Sequence, residues 1–70
     1  MQLGEKIRDL RKSQGLTCRQ VGEMIGTSEA YVRAYEKGRR KPKLQALMKL
    51  ASALNVDVSV LIEIACQDET

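Results

Sequence analysis

Histidine, phenylalanine and tryptophan are missing from these 70 residues, and proline occurs once. Without histidine there is no imidazole to serve as a general base or metal ligand at neutral pH. The two cysteines, Cys18 and Cys66, form no C-x-x-C pair. No nucleophile stands beside a base, and no glycine run matches a phosphate-binding loop. Together these absences argue against an enzyme, and no catalytic residue, metal, cofactor or small-molecule ligand is expected. No apolar stretch approaches the roughly 18 residues of a membrane span, and the start lacks a signal peptide's apolar region. A cytoplasmic location with reduced thiols is therefore expected; a Cys18–Cys66 bridge has no support beyond the pair's existence. With two tyrosines as the only aromatic residues, the core must be aliphatic.

What is present is a globular composition, 43% apolar and 30% charged. The length fits one domain with a thin core, the kind that often leans on a partner. Net charge is +3, but it is unevenly spread. Residues 1–32 carry five basic and four acidic side chains, residues 33–56 seven basic and one acidic, and residues 57–70 no basic and four acidic. A local surplus of six positive charges fits a polyanion partner; it also fits a solvated face with no partner.

The stretch Thr17–Glu36, TCRQVGEMIGTSEAYVRAYE, reads as two short helices joined at Gly26. Thr17 with Gln20 makes a capping box, and Val21, Met24 and Ile25 give the first helix an apolar face. Gly26 suits a left-handed helix end. Ser28 caps the second helix, with Glu29 in its first turn. Val32 and Tyr35 turn inward, leaving Glu29, Ala30, Arg33 and Ala34 outside. Helices this short need support, which the flanks supply. Residues 2–14 place Leu3, Ile7 and Leu10 on one face, and Leu44, Leu47, Leu50, Ala51 and Leu54 make a stripe over 44–54 that Asn55 can end. Residues 57–66 alternate like a strand at first, but no second strand exists to pair with. A helix capped by Asp57, with Val58, Leu61, Ile62 and Ala65 inward, fits better. Val60 and Ile64 then point outward as a candidate dimer surface, followed by an acidic tail, 67–70.

In order, Gly22, Gly26, Val32, Glu36, Gly38 and Pro42 resemble the helix-turn-helix pattern of the phage Cro/repressor-type (XRE-like) transcription regulators. The flanks LGEKIRDLRKSQGLT and LQALMKLASALNVDVSVL are similar too, so the resemblance spans roughly residues 3–65. It implies an all-α, compact five-helix, lambda-repressor-like domain with the helix-turn-helix at helices 2 and 3. The expected helices are 2–14, 17–25, 28–36, 44–54 and 57–66. It implies an ion pair between Arg11 and Glu36, and a small residue at 22 because two helices meet there. Gly22→Leu is expected to disrupt the fold and Gly22→Ala to be tolerated or stabilising. Cys18 replaces the family's common glutamine and is expected to be a small half-exposed cap; a thiol of lowered pKa with a redox role is the other reading.

By family position, Glu29, Ala30, Arg33 and Ala34 face base edges. Arg33 can bond guanine, the alanines can touch a thymine methyl, and Glu29 can accept from cytosine, filter wrong sequences or only favour the helix dipole. Lys37, Arg39, Arg40, Lys41 and Lys43 suit backbone neutralisation, joined by Arg19 and Ser28. Tyr31 reaches a phosphate or packs against the loop after helix 3. Lys43 stands where the family often has a serine cap. The implied function is a homodimeric, sequence-specific regulator of double-stranded DNA, a repressor or autoregulator. No ligand domain is expected, so control falls to concentration, dimerisation or another protein. The alternative is a module, such as an antitoxin or anti-regulator, that holds a partner protein.

Overall fold

Apolar residues at helical spacing fold into five helices over residues 2–68, the part of the chain that the computed structural model describes. They are α1 (Gln2–Ser13), α2 (Cys18–Ile25), α3 (Glu29–Glu36), α4 (Leu44–Ala53) and α5 (Val58–Asp68). Ile7, Val21, Val32, Leu50, Leu54 and Leu61 are fully buried, so every helix or its end gives the core an aliphatic side chain. α3 packs on α1 and α2, while α4 and α5 close the other side. The inward sides of α3 are therefore consumed by packing, and its outer side is left to solvent.

Local chemistry sets the boundaries. The Gln20 N–H donates to Thr17 Oγ1 at 3.1 Å and the Thr17 N–H to Gln20 Oε1 at 2.8 Å, which closes the capping box. Gly26 ends α2 at φ 78°. Asn55 takes φ 59° after α4, and the Val56 N–H reaches back to the Ala51 carbonyl at 2.9 Å. The Ser59 N–H donates to Asp57 Oδ1 at 3.0 Å, which holds the Asp57 carboxyl below its ordinary value. Thr17, Ser28 and Asp57 are thus caps just outside their helices. Lys43 precedes α4 without a side-chain cap bond. α5 continues through Gln67 and Asp68, which the sequence reading assigns to the tail; residues 69–70 lie outside the described residues.

Two stripe residues depart from the periodicity. Met24 is 55% exposed. At about 100° per residue, Cys18, Val21, Gly22 and Ile25 centre the inner face of α2, and Met24 falls about 110° from that centre. Leu44 is 60% exposed because it is the first residue of α4, where the stripe outruns its cover.

Glycine at two positions permits contacts that a side chain would block. A Cβ at Gly22 would lie 2.9 Å from the Thr27 carbonyl oxygen and 3.1 Å from Ser28. The expectation that alanine is tolerated there is therefore corrected: the obstacle is turn backbone, which cannot rotate away. Gly4 in the first turn of α1, absent from the sequence reading, is tighter. A Cβ there would lie 2.7 Å from the Tyr35 carbonyl oxygen and closer still to that of Glu36. Overpacking of this kind costs about 1–3 kcal/mol, against a helix-propensity gain of about 1 kcal/mol. Gly22→Ala should lose about 1 kcal/mol in urea unfolding, and Gly4→Ala should lose more. An alanine variant at either place that melts above the parent would show that these backbones can separate freely.

Candidate nucleic-acid interface

The outer side of α3 is built from its N-terminus. Ser28 Oγ accepts the Tyr31 N–H at 3.3 Å, fixing the first turn. Val32 and Tyr35 point into the core, so Ala30 and Arg33 are exposed while Glu29 and Ala34 are half-exposed. Glu29 and Arg33 are bonded to each other, with Arg33 Nη2 donating to Glu29 Oε2 one turn apart. From the sequence, Arg33 is a guanine reader and Glu29 a cytosine acceptor, a filter or a helix-dipole charge, each taken separately; in the structure the two side chains form one unit.

The C-terminal end of α3 is held by α1. Arg11 Nε donates to Glu36 Oε2 at 2.7 Å and Arg11 Nη2 to Glu36 Oε1 at 3.2 Å. The remaining guanidinium nitrogen donates to the Leu16 carbonyl at 2.9 Å, at the α1–α2 bend. Only 13% and 8% of these side chains remain accessible. The bond to Glu36 holds the Arg11 pKa above its ordinary value, against an opposing effect of burial. The Cys18 thiol donates to Glu36 Oε2 at 3.6 Å, so it braces the end of α3 despite being a weak donor. Burial, and then the Glu36 carboxylate, push this thiol up from its ordinary value. This corrects the reading of a helix-start thiol with lowered pKa, and with it the ground for a reactive thiolate.

After α3 the chain turns sharply. Gly38 sits at φ 75°, its N–H donates to the Tyr35 carbonyl at 3.2 Å and the Arg39 N–H to the Ala34 carbonyl at 2.9 Å. These two bonds form a Schellman motif that turns the basic run back beside the outer side of α3. Lys37, Arg39, Arg40, Lys41 and Lys43 are all exposed there, as is Arg19 on α2. The Arg40 guanidinium lies 4.5 Å over the Tyr31 ring, which meets Tyr35 edge-on at 5.5 Å. Tyr31 therefore packs against the loop, with 37% of its surface left open.

Two clefts flank α3. One, ≈ 320 Å³, is lined among others by Thr27, Tyr31, Arg40, Lys41, Lys43 and Lys49. The other, ≈ 280 Å³, is lined by Arg8, Arg11, Cys18, Arg33, Glu36 and Lys37. Lys49 and Arg8 are absent from the sequence-derived candidates. Periodicity puts Arg8 off the core face of α1, but nothing local shows that this face adjoins α3.

Val60 and Ile64 are half-buried, and Ile64 packs partly against the core. The reading that Ile64 points away from the core is corrected accordingly; Val60 is half-buried but is not one of the residues packed on the core. The larger exposed apolar groups lie elsewhere: Leu44 and Met48 on α4, the latter at 54% exposure, besides Met24 on α2 and Tyr31 on α3. Leu44, Leu47, Ile62, Ala65 and Cys66 line an open cleft between α4 and α5, together with Pro42 and the cations Lys41 and Lys43. Cys18 and Cys66 are not bridged, and no helix among the described residues is long and apolar enough to cross a membrane.

The sequence model of a helix-turn-helix family matches residues 7–61. The cryptic phage CTXphi transcriptional repressor RstR of Vibrio cholerae is 40% identical over 57 residues, which cover 81% of this chain and 51% of RstR. The restriction-modification controller protein C.AhdI from Aeromonas hydrophila superposes with a TM-score of 0.81 at 32% identity, covering 86% of this chain and 87% of that one. The P22 c2 repressor, solved in complex with a synthetic operator, gives a TM-score of 0.80 at 29% identity, covering 84% and 89% of the two chains. The chain spans about half the length of the first curated relatives it matches.

Proposed function

The chain belongs to the helix-turn-helix family whose model spans residues 7–61, and from that membership we propose that it binds double-stranded DNA as the reading domain of a cytoplasmic transcriptional regulator. The family is one of transcription regulators, not of enzymes. The observation that carries the proposal is the arrangement around α3: an outer side left to solvent, with a cation-lined cleft on either flank. In the major groove, α3 presents Arg33 to guanine O6 and N7, while Ala30 and Ala34 leave room for a thymine methyl. The clefts receive the sugar-phosphate strands. Lys37, Arg39, Arg40, Lys41 and Lys43 neutralise phosphates, aided by Arg19, Ser28 and the Tyr31 hydroxyl.

A repressor or autoregulator of bacterial or phage type is the form proposed, acting as a homodimer. A two-fold pair would set its reading helices about 34 Å apart, one DNA turn. Apolar surface left open at Leu44, Met48 and the α4–α5 cleft supports a second copy there, beside Val60 and Ile64 of α5. The alternative, a module that only holds a partner protein, is not favoured by relatives named as transcriptional regulators and repressors.

Selection of bound duplexes from a random pool, followed by two substitutions, tests the division of labour. Arg33→Ala should relax preference at defined base pairs, by about 1–3 kcal/mol at each. Arg40→Ala should weaken all duplexes alike, because its guanidinium sits in the loop over Tyr31 and not on the outer side of α3. The same loss pattern from both would mean that α3 does not read bases.

A further inference from the structure

We propose that Glu29 is a positioning residue: its carboxylate fixes the Arg33 guanidinium in the pose that reads guanine, and it contacts no base itself. This rests on the reading of α3 as the groove-entering helix. Glu29 opens α3, and Arg33 follows one turn later with its Nη2 on Glu29 Oε2. Glutamate before arginine at this spacing is the favourable order on a helix. The two side chains keep 40% and 59% of their surface, so the pair sits in the open, where the groove floor would be.

The chemistry of the fork makes the arrangement productive. One Nη2 hydrogen serves Glu29. The second, together with Nη1, forms the end-on pair that guanine O6 and N7 accept. An arginine held in one rotamer loses less conformational entropy on binding than a free one. Nothing else on the outer side can hold it. Ala30 and Ala34 have no acceptor, and the other carboxylate of α3, Glu36, is engaged by Arg11 and Cys18. The other charged neighbours of Arg33 in its cleft, apart from Glu36, are Arg8, Arg11 and Lys37, which repel it. The pairing also accounts for a carboxylate on a face turned towards a polyanion, since Arg33 neutralises it locally.

The test compares the parent chain, Glu29→Ala, Arg33→Ala and the double variant on the selected duplex and on duplexes with each G·C pair replaced. Circular dichroism establishes that each is folded. At the guanine that Arg33→Ala ceases to prefer, Glu29→Ala should lower the ratio of dissociation constants about twofold, the bias that an exposed pair at this spacing can supply. In the Arg33→Ala background it should leave that ratio unchanged. A Glu29→Ala variant that keeps the guanine ratio and binds all duplexes more tightly would overturn the proposal, leaving only charge repulsion. So would a loss at a different base pair that persists without Arg33, which is the signature of direct cytosine contact. A parent chain with no duplex preference would remove the DNA reading and this proposal together. Intact parental preference with an unmoved Glu29→Ala ratio overturns this proposal alone.

Discussion

Glu36→Ala is expected to remove about 3 kcal/mol of unfolding free energy, measured by urea titration. A domain of this size has roughly 4–10 kcal/mol in total, so the variant should stand near the edge of folding. The carboxylate accepts from Arg11 Nε, Arg11 Nη2 and the Cys18 thiol. Without it a guanidinium with only 13% of its side-chain surface exposed keeps one protein partner, the Leu16 carbonyl. That residual bond, and the remaining access to water, place the expected loss at the lower end of the range for broken buried pairs, about 3–5 kcal/mol. Arg11→Ala should cost a similar amount by stranding the carboxylate. Arg11→Met with Glu36→Leu should cost far less than the two alanine losses added, because no charge is then left buried alone. If the alanine variants unfold at the parental midpoint, the pair does not clamp α3 to α1.

The clamp shows which links of the fold can be read from the chain. Features set by neighbours in sequence are legible: the Thr17–Gln20 box, Gly26 at positive φ and Asn55 closing α4 all follow from residue type and offset. The strand-like opening of the last segment is resolved the same way, because a lone strand has nothing to pair with and Asp57 can cap a helix. Features set by helices meeting in space are not legible. Nothing in the first turn of α1 marks Gly4 as the point where α3 carbonyls press against it. No periodicity links Arg11 to Glu36, 25 positions apart; only the family resemblance pairs them. Periodicity names a stripe but neither where its cover ends, hence Leu44, nor how wide the covered face is, hence Met24. For the interface, the cations and the outward residues of α3 are visible in the sequence. Their grouping is not: Arg8 and Lys49 join the clefts through tertiary packing. The Glu29–Arg33 bond was within reach, since an offset of four with glutamate first is a known helix pair.

Raising salt from about 50 to 200 mM should weaken binding to a selected duplex about 10⁴-fold. Each neutralised phosphate releases about 0.9 counterion from duplex DNA. With about four phosphates met by each subunit, a dimer gives a log–log slope near −7, and a lone subunit a slope near −4. The slope therefore reports stoichiometry as well as charge. The cations that produce it stand on the two flanks of α3, and the loop group is fixed by the Gly38 turn and the Arg40–Tyr31 stack before DNA arrives. Lys41→Gln should reduce the steepness by about 2 in the dimer, one contact per subunit. The Glu29→Ala, Arg33→Ala double variant should leave the slope nearly unchanged while lowering affinity for the selected sequence, because it removes a neutral pair and no phosphate contact. A slope near zero on that duplex would mean that the cationic flanks do not meet the strands, and α3 would then have no means of being held in the groove.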